Sequence, residues 1–429
     1  MSTRAATVAD APARTPRRAL ATVFAVVFID LLGFGIIIPI LPFYVRSFGV
    51  SDVYIGLLAA SYSLVQFLFA PVLGRLSDSY GRRPIILLSV AGSVVAWTLF
   101  GLGGGLVVLF LARMLAGAMG GNISAAQAYV ADVTPPEERA SALGLLGAAF
   151  GLGFIFGPAL GGLFASQAVV TAARGLLPAA VPATQFSLPS FAAAGLSLLN
   201  LAFAAVVLTE PDVTRTPGAR VSLVGQFRNA LADDRLRGLV IAFFLLSVAF
   251  SGVQVMFIPF AADQYGYAES QTALLLTYIG VLGVLVQGGL IGPLERRYGD
   301  RRLAVAGTAL LAVALVAIPF APDLGRLALP DGPGFLTREL LALLLVLPVL
   351  SLGNGLVSVA LTTLVSRSAG RETQGSAFGV TQGAGSLGRT VGPPVMAALY
   401  AVVTYWGPFV AGGLLLVPVF VVLARRHTD

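Results

Sequence analysis

The sequence of 429 residues contains no cysteine, no lysine and a single histidine. Without cysteine there are no disulfides, thiolate metal sites or thiol nucleophiles, and His427 alone cannot form a histidine-rich metal site. Charged residues make up 11% of the chain, against about 25% in an ordinary soluble domain. These shortages exclude a water-soluble enzyme and a disulfide-rich or disordered chain. We expect no catalytic residues, no metal and no cofactor.

Apolar residues are abundant instead, at 57% of the chain with a mean hydropathy of +0.89. A helix that crosses a bilayer needs roughly 20 mostly apolar residues, and twelve such runs occur along the chain. The sequence therefore predicts an all-α membrane protein with twelve transmembrane helices. The runs lie near 19–45, 53–75, 84–104, 106–131, 140–165, 190–209, 238–262, 270–293, 302–321, 337–366, 375–401 and 405–424.

The arginines predict the orientation, because positively charged loops stay in the cytoplasm. If the N-terminus is cytoplasmic, inner loops and tails hold 21 of the 27 arginines and the outer side holds four. We therefore expect a multi-pass plasma-membrane protein with both termini cytoplasmic. The net charge of +7 is explained by topology, so we expect the lipid bilayer, and no nucleic acid, as a partner, and we expect a monomer.

Two related halves are predicted by an internal repeat. The segment Gly74–Arg83 after the second span is matched by Gly292–Arg301 after the eighth. Gly157-Pro158 in the fifth span is matched by Gly392-Pro393 in the eleventh. Two halves with a site between them are the plan of many secondary transporters. The predicted divisions are a tail at 1–18, a six-helix bundle at 19–209, a linker at 210–237, a second bundle at 238–424 and a tail at 425–429.

Two motifs can be interpreted physically. Gly153, Gly157 and Gly161 recur at four-residue steps, so they share one helix face that lets another backbone approach closely, and Pro158 permits a kink. In the loop after the second span, the Asp78 carboxylate can cap a helix N-terminus or pair with a nearby arginine.

The motifs resemble the major facilitator superfamily, and within it the drug–proton antiporters of the tetracycline-efflux type. The resemblance implies a major facilitator fold, with a small-molecule substrate and protons as partners. It also implies that the loop around Asp78 holds the cytoplasmic ends of the two halves together in the outward-facing state. The second-half copy of that loop has Arg296 in place of Asp78. The residues that carry the resemblance and that we expect to control conformation are Gly74, Asp78, Gly81, Arg82, Arg83, Asp132, Arg139, Gly153, Gly157, Pro158 and Gly161.

Three ionisable residues lie inside predicted spans, where charges are costly and usually functional. With a rise of about 1.5 Å per residue, Asp30 and Arg389 lie about 18 Å and about 21 Å from the inner ends of their helices, and Arg113 about 27 Å. Arginine keeps its proton, so elimination leaves Asp30 as the proton carrier. Arg113 and Arg389 are predicted to line a substrate or coupling cavity, together with the amides Asn122, Gln254, Asn354 and Gln382.

The sequence leaves three functions to compare. The first is a proton-coupled exporter of hydrophobic or amphipathic drugs that works by alternating access. The second is an uptake symporter or facilitator for a sugar or organic anion, in which Arg113 and Arg389 bind the anionic group. A membrane-embedded enzyme or receptor has no supporting motif, so we expect that the protein is not an enzyme.

Overall fold

The computed structural model describes residues 16–120, 122–135, 138–211, 223–330, 332–334, 336–368 and 374–425, and the regular structure in these ranges is helical. Residues 1–15 of the predicted N-terminal tail, 212–222 of the predicted linker and His427 lie outside the described residues. The helices are α1 (Pro16–Ile37), α2 (Leu41–Arg46), α3 (Val53–Tyr80), α4 (Arg82–Leu102), α5 (Leu106–Met119), α6 (Asn122–Val133), α7 (Arg139–Ala165), α8 (Gln167–Leu176), α9 (Ser187–Val207), α10 (Leu223–Ala232), α11 (Asp234–Tyr265), α12 (Glu269–Leu285), α13 (Ile291–Tyr298), α14 (Asp300–Ala328), α15 (Arg338–Ser368), α16 (Gln374–Val402) and α17 (Gly407–Arg425), with a π-helical turn (Val286–Leu290) between α12 and α13.

Eleven helical segments in the described ranges are long and apolar enough to cross a membrane. The predicted span that is not among these is the eleventh, α16, although its 29 residues are long enough to cross. Its sequence is rich in glycine and polar residues and includes Arg389. Helices α3 and α11 cover it on two sides, which is consistent with a span packed against protein.

The structure interrupts three of the predicted spans. The first was predicted as one run over 19–45, but α1 ends at Ile37 and a turn leads into α2. Pro39 and Pro42 cause this break because neither has an N–H to donate. The fourth span is divided between α5 and α6 near Gly120. The eighth contains the π-helical turn, which includes Gly288 and Gly289, and such turns occur mostly as local bulges in α-helices.

The two six-helix bundles have equivalent backbone contacts. Arg83 Nη2 donates to the carbonyl oxygen of Ala205 at 2.7 Å, and Arg301 Nε donates to that of Leu423 at 3.1 Å. The donors and the acceptors are each 218 residues apart in sequence (83 to 301, 205 to 423). The structure thus supports the predicted pseudo-symmetry at the level of individual hydrogen bonds.

The halves meet along α7 with α12 and along α3 with α16. We call the end of the molecule at which α1 begins and α17 ends the linker end, and the opposite end, which holds α2 and α8, the far end. Near the far end α7 and α12 are in contact: a methyl group on Gly162 would lie 2.6 Å from Ala273 Cβ. Closer to the linker end, by one turn of α12 and two turns of α7, Thr277 Oγ1 donates to the Ile155 carbonyl oxygen at 3.3 Å.

The same two helices separate toward the linker end. The last close approach is at Gly151, where an added methyl group would lie 2.9 Å from Val284 Cγ2. Gly147 and Gly288 continue the two facing surfaces by one further turn, yet a methyl group on either would meet nothing within 4 Å. Among the described residues, the space between α7 and α12 therefore opens toward the linker end.

Candidate functional site

The structure brings the three ionisable residues of the spans together around one tyrosine. Tyr62 of α3 interacts electrostatically with Asp30 of α1, Arg113 of α5 and Arg389 of α16. We call these four residues the Tyr62 cluster. Three of its members come from the first half, and Arg389 comes from the second, so the cluster lies where the halves meet.

Arg113 is held by aromatic rings. The residue is 6% exposed, and its guanidinium carbon lies 4.6 Å from the ring centroid of Tyr62 and 5.6 Å from that of Phe34. Cation–π contacts of this kind are stronger when the cation is desolvated. The Arg113 Nε is buried and has no hydrogen-bond partner among the described residues. Sequence reasoning found this arginine but not the two rings that hold it.

Arg389 is half-buried on α16, and its Nη2 donates to Ser386 Oγ at 2.8 Å. Gln382 lies seven residues earlier, so it shares the helix face of Arg389, and it is exposed. That both side chains line a substrate or coupling cavity stays a prediction.

An aromatic wall adjoins the charged residues. The ring centroid of Phe34 lies 5.2 Å from that of Tyr62 and 6.4 Å from that of Phe154, which is 42% exposed. Sequence reasoning did not include these rings in the cavity. For Phe154 the sequence does contain a signal, because this residue occupies the position in the first half that corresponds to Arg389 in the second.

The remaining predicted amides are less informative. The side chain of Asn122 lies outside what the structure describes, although the residue begins α6. Gln254 is exposed between the buried Val253 and Val255, and Asn354 is half-buried. In the described part of the chain, no hydrogen bond joins Gln254 or Asn354 to the Tyr62 cluster.

Charged residues close the far end across the halves. Arg46, the last residue of α2, makes two hydrogen bonds to Asp52 (2.8 and 2.7 Å) and two to Asp263 of α11 (2.7 and 2.9 Å). Tyr400 of α16 donates to Asp263 Oδ2 at 2.6 Å. Burial lowers the pKa of Arg46, but its hydrogen bonds to the two aspartates outweigh burial and raise the pKa above its ordinary value. We call these four residues the far-end latch, which sequence reasoning missed because Arg46 was attributed to topology.

At the linker end, the predicted motif residues of the first half form one network. Arg82 is 7% exposed; its Nε donates to Asp132 Oδ2 at 2.8 Å, and its Nη1 donates to Ser77 Oγ at 2.7 Å and to Asp78. Of the two roles predicted for Asp78, the structure therefore has the arginine pair. All of these partners belong to the first half.

The helix cap is supplied by another residue, Glu210. Its carboxylate accepts the backbone N–H groups of Arg82 and Arg83, at 2.7 Å each, at the start of α4. Gly81 ends α3 with φ 110°, a conformation that favours glycine. The sequence did not point to Glu210, because 128 residues separate it from Arg82.

The other predicted motif residues have local roles here. Arg139 Nε donates to the carbonyl oxygen of Thr134 at 3.3 Å. A methyl group on Gly74 would meet only Ser124 Oγ, at 3.9 Å. No described residue of the second half therefore lies close to Gly74 in this conformation.

The glycine face of α7 packs within its own half. A methyl group on Gly153 would lie 2.8 Å from Leu31 Cβ, one on Gly157 2.6 Å from Gly35 Cα, and one on Gly161 3.0 Å from Pro39 Cγ. Gly35 also lies beside Pro158. These residues thus hold α7 close against α1, whereas contact with the other half uses Gly151, Ile155 and Gly162.

The second-half copy of the linker-end network has its charges reversed. Asp300, which corresponds to Arg82, is 2% exposed, and its Oδ2 lies 2.8 Å from Nη1 of Arg367, which corresponds to Asp132. No donor hydrogen is aligned with the Asp300 carboxylate in the described part of the chain, so the contact is an ion pair without a hydrogen bond.

Two helical bundles that meet at a charged cluster define a multi-pass membrane protein, and the family that its sequence matches consists of transport proteins rather than enzymes. The sequence matches the Major Facilitator Superfamily over residues 23–393, and the chain belongs to this family. It is 30% identical over 389 residues to the tetracycline resistance protein, class C, of Escherichia coli, covering 89% of this chain and 90% of that protein. It is 28% identical over 385 residues to multidrug resistance protein 1 of Bacillus subtilis, covering 87% of each.

Among solved structures, the fold is similar to that of a bacterial homologue of the human lysosomal transporter Spinster in an inward-facing, unoccupied conformation. The TM-score is 0.74 at 16% identity, over 97% of this chain and 96% of that one. The predicted family and the predicted fold of twelve helices in two bundles are therefore confirmed.

Proposed function

We propose that the protein exports hydrophobic or amphipathic small molecules, including drugs, in exchange for protons and by alternating access. The observation that carries the proposal is the arrangement of the two halves. They are in contact at the far end, apart at the linker end, and have the Tyr62 cluster between them. A binding site that opens to one side at a time is what alternating access requires.

Two gates at opposite ends support this cycle. In the present conformation the far-end latch joins Arg46 of the first half to Asp263 of the second. Asp78, which lies in the last turn of α3 rather than in a loop, and its partner Arg82 make their ion pairs with first-half residues in the described part of the chain. We propose that the far-end latch breaks when the linker end closes, and that the segment around Asp78 then contacts the second half. The two predicted six-helix bundles, at 19–209 and 238–424, would each move as a rigid unit.

Asp30 is the proposed proton carrier. It is half-buried at mid-span as a member of the Tyr62 cluster. A proton carrier must release its proton near neutral pH, which excludes the two arginines of the cluster. Movement of Arg389 with the second half would change the charge near Asp30 between the two states.

The relatives support drug-like substrates, since they are named for resistance to tetracycline and to multiple drugs. The linker end is proposed to be cytoplasmic, as the arginine distribution predicts. The second candidate remains uptake of a sugar or organic anion, and the presence of two arginines in the cluster is the observation that favours it. The two candidates differ in the direction of coupled transport.

Transport in sealed vesicles tests the proposal. A single cysteine at Ala232, exposed at the linker end, reports vesicle orientation through a membrane-impermeant thiol reagent, because the native chain has no cysteine. In vesicles with the linker end outside, an acidic lumen should drive uphill accumulation of substrates from a drug panel. Asp30→Asn should abolish uphill transport and retain part of downhill exchange.

The matched control is Glu269→Gln, which removes an acid in the first turn of α12 and should transport normally. Uphill pumping by Asp30→Asn with unchanged pH dependence would show that the proton follows another route. Accumulation driven in the opposite sense would favour the uptake candidate.

A further inference from the structure

The Tyr62 cluster holds opposite charges at separate places. Its charged and titratable members in the described part of the chain are Asp30, Tyr62, Arg113 and Arg389. Two guanidinium groups thus accompany one carboxylate. Charge inside a span is costly and is retained where it has a task, so the excess of arginine requires an explanation beyond proton transfer.

The geometry of Arg113 leaves its hydrogen-bonding edge available. Guanidinium N–H groups point outward in the plane of the group, whereas the rings of Phe34 and Tyr62 attract it through their faces. Its Nε, in a residue that is 6% exposed, has no partner among the described residues. A planar fork of this kind matches a carboxylate, which can accept two parallel hydrogen bonds.

The opposite wall differs in chemistry. Arg389 reaches the cluster from the second half, while the corresponding position of the first half is the partly exposed Phe154. The second half therefore contributes Arg389 to the space between the halves, and the first half contributes aromatic rings, Arg113 and the acid Asp30. A ligand complementary to this arrangement has an aromatic body, a carboxylate and a basic nitrogen.

We propose that the cavity binds an amphipathic aromatic zwitterion, with its carboxylate between Arg113 and Arg389 and its protonated amine near Asp30. This inference rests on the proposed function and specifies the substrate class. It also supplies the coupling, because an ammonium group and a proton compete for Asp30. A ligand held by Arg113 and Arg389 joins the two halves, as a substrate that accompanies their movement must.

Four fluorescent probes that share one ring system separate the contributions. They are 1-pyrenylalanine (zwitterion), its carboxamide (cation), its N-acetyl derivative (anion) and its N-acetyl carboxamide (neutral). Binding to the full chain in lipid nanodiscs is measured for each. The zwitterion should bind tightest. Each charged group should raise the affinity about tenfold or more, as expected for hydrogen bonds to charged partners.

Substitutions test which residue accounts for each gain in affinity. Arg389→Gln should remove the advantage of a free carboxylate and leave binding of the neutral probe unchanged, which also reports that the variant is folded. Arg389→Lys should keep part of that advantage. Asp30→Asn should remove only the advantage of the amine. Arg174→Gln, an exposed arginine on α8, is the matched control and should change nothing.

The outcomes distinguish this inference from the proposed function. If the neutral or cationic probe binds as tightly as the zwitterion, or no probe binds, the inference is wrong, whatever the vesicles transport. If the zwitterion binds selectively through Arg389 and Asp30 but an acidic lumen drives no accumulation, the substrate class is right and the proton-coupled export is wrong.

Discussion

At the linker end the two halves have similar backbone turns, but the ion pairs beside those turns have their charges exchanged. Arg82 is buried between Asp78 and Asp132 in the first half, and Asp300 is buried beside Arg367 in the second. The turns that precede them are alike, since Gly81 and Gly299 both have positive φ (110° and 77°). Duplication has thus preserved the position of an ion pair while its charges were exchanged.

The exchange has an electrostatic consequence. Arg82 and Asp300 are each the first residue of a helix, where the helix dipole favours a negative side chain. Asp300 satisfies this preference by itself. Arg82 opposes it, and three carboxylates compensate, those of Asp78, Asp132 and Glu210. The first-half loop therefore depends on three carboxylates that a conformational change can remove, whereas Asp300 in the second half forms its ion pair with Arg367.

The largest expected difference between the loops is functional. Asp78→Asn should leave insertion and folding intact, since its side chain is 57% exposed, and should largely abolish transport by weakening the linker-end gate. The matched substitution in the second half, Arg296→Gln, should transport at close to the normal rate. Vesicle transport at equal expression compares the two. A normal rate for Asp78→Asn would mean that Asp78 is only a solvated residue at the end of α3.

The next difference concerns stability. Arg82→Asp puts a third carboxylate beside Asp78 and Asp132 in a largely buried place and should lower the free energy of unfolding by about 3 kcal/mol or more. Adding Asp132→Arg restores an attractive pair and should recover most of the loss.

Thermal unfolding of the single and double variants in detergent gives the coupling between the two positions. The control is the equivalent reversal in the second half, Asp300→Arg with Arg367→Asp. Its coupling should be smaller, because Arg367 is 70% exposed and its charge is screened by water. Additive losses in the first half would contradict a coupled pair.

The smallest expected effect is at the helix cap. Glu210→Gln removes the negative charge that accepts two N–H groups at the start of α4 and should cost about 0.5–1 kcal/mol. Backbone amide hydrogen exchange at Arg82 and Arg83 should become faster, while exchange at the equivalent start of α14 stays constant. Unchanged protection at α4 would show that Glu210 is not needed as a cap.

The number and approximate extent of the spans could be read from the sequence, because the length of an apolar run is a local property. The predicted helix boundaries are wrong where backbone geometry, and not hydropathy, determines where a helix ends or changes its winding. Pro39 ends α1 within an apolar run, and the π-helical turn at Val286–Leu290 leaves the apolar pattern unchanged. The repeat was also readable, since its motifs keep their spacing.

The candidate site was predictable only in part. Asp30, Arg113 and Arg389 are conspicuous as charges in apolar runs, so elimination could find them. Phe34 and Tyr62 look like any other apolar residues of a span, and only their approach to Arg113 gives them a role. Glu210 and Asp263 resemble ordinary acids at helix ends.

The sequence by itself determined the family, the helical membrane fold, the duplication and the rare charges within the spans, because each is expressed in local composition or in repeated spacing. The tertiary structure decided which charges meet. Arg46 pairs with Asp263 across 217 residues, and Glu210 with Arg82 across 128. Such partners depend on how twelve helices pack and at which end the halves touch. Side-chain hydrogen bonds act over about 3 Å, a distance that only the folded packing sets between residues so far apart in the chain.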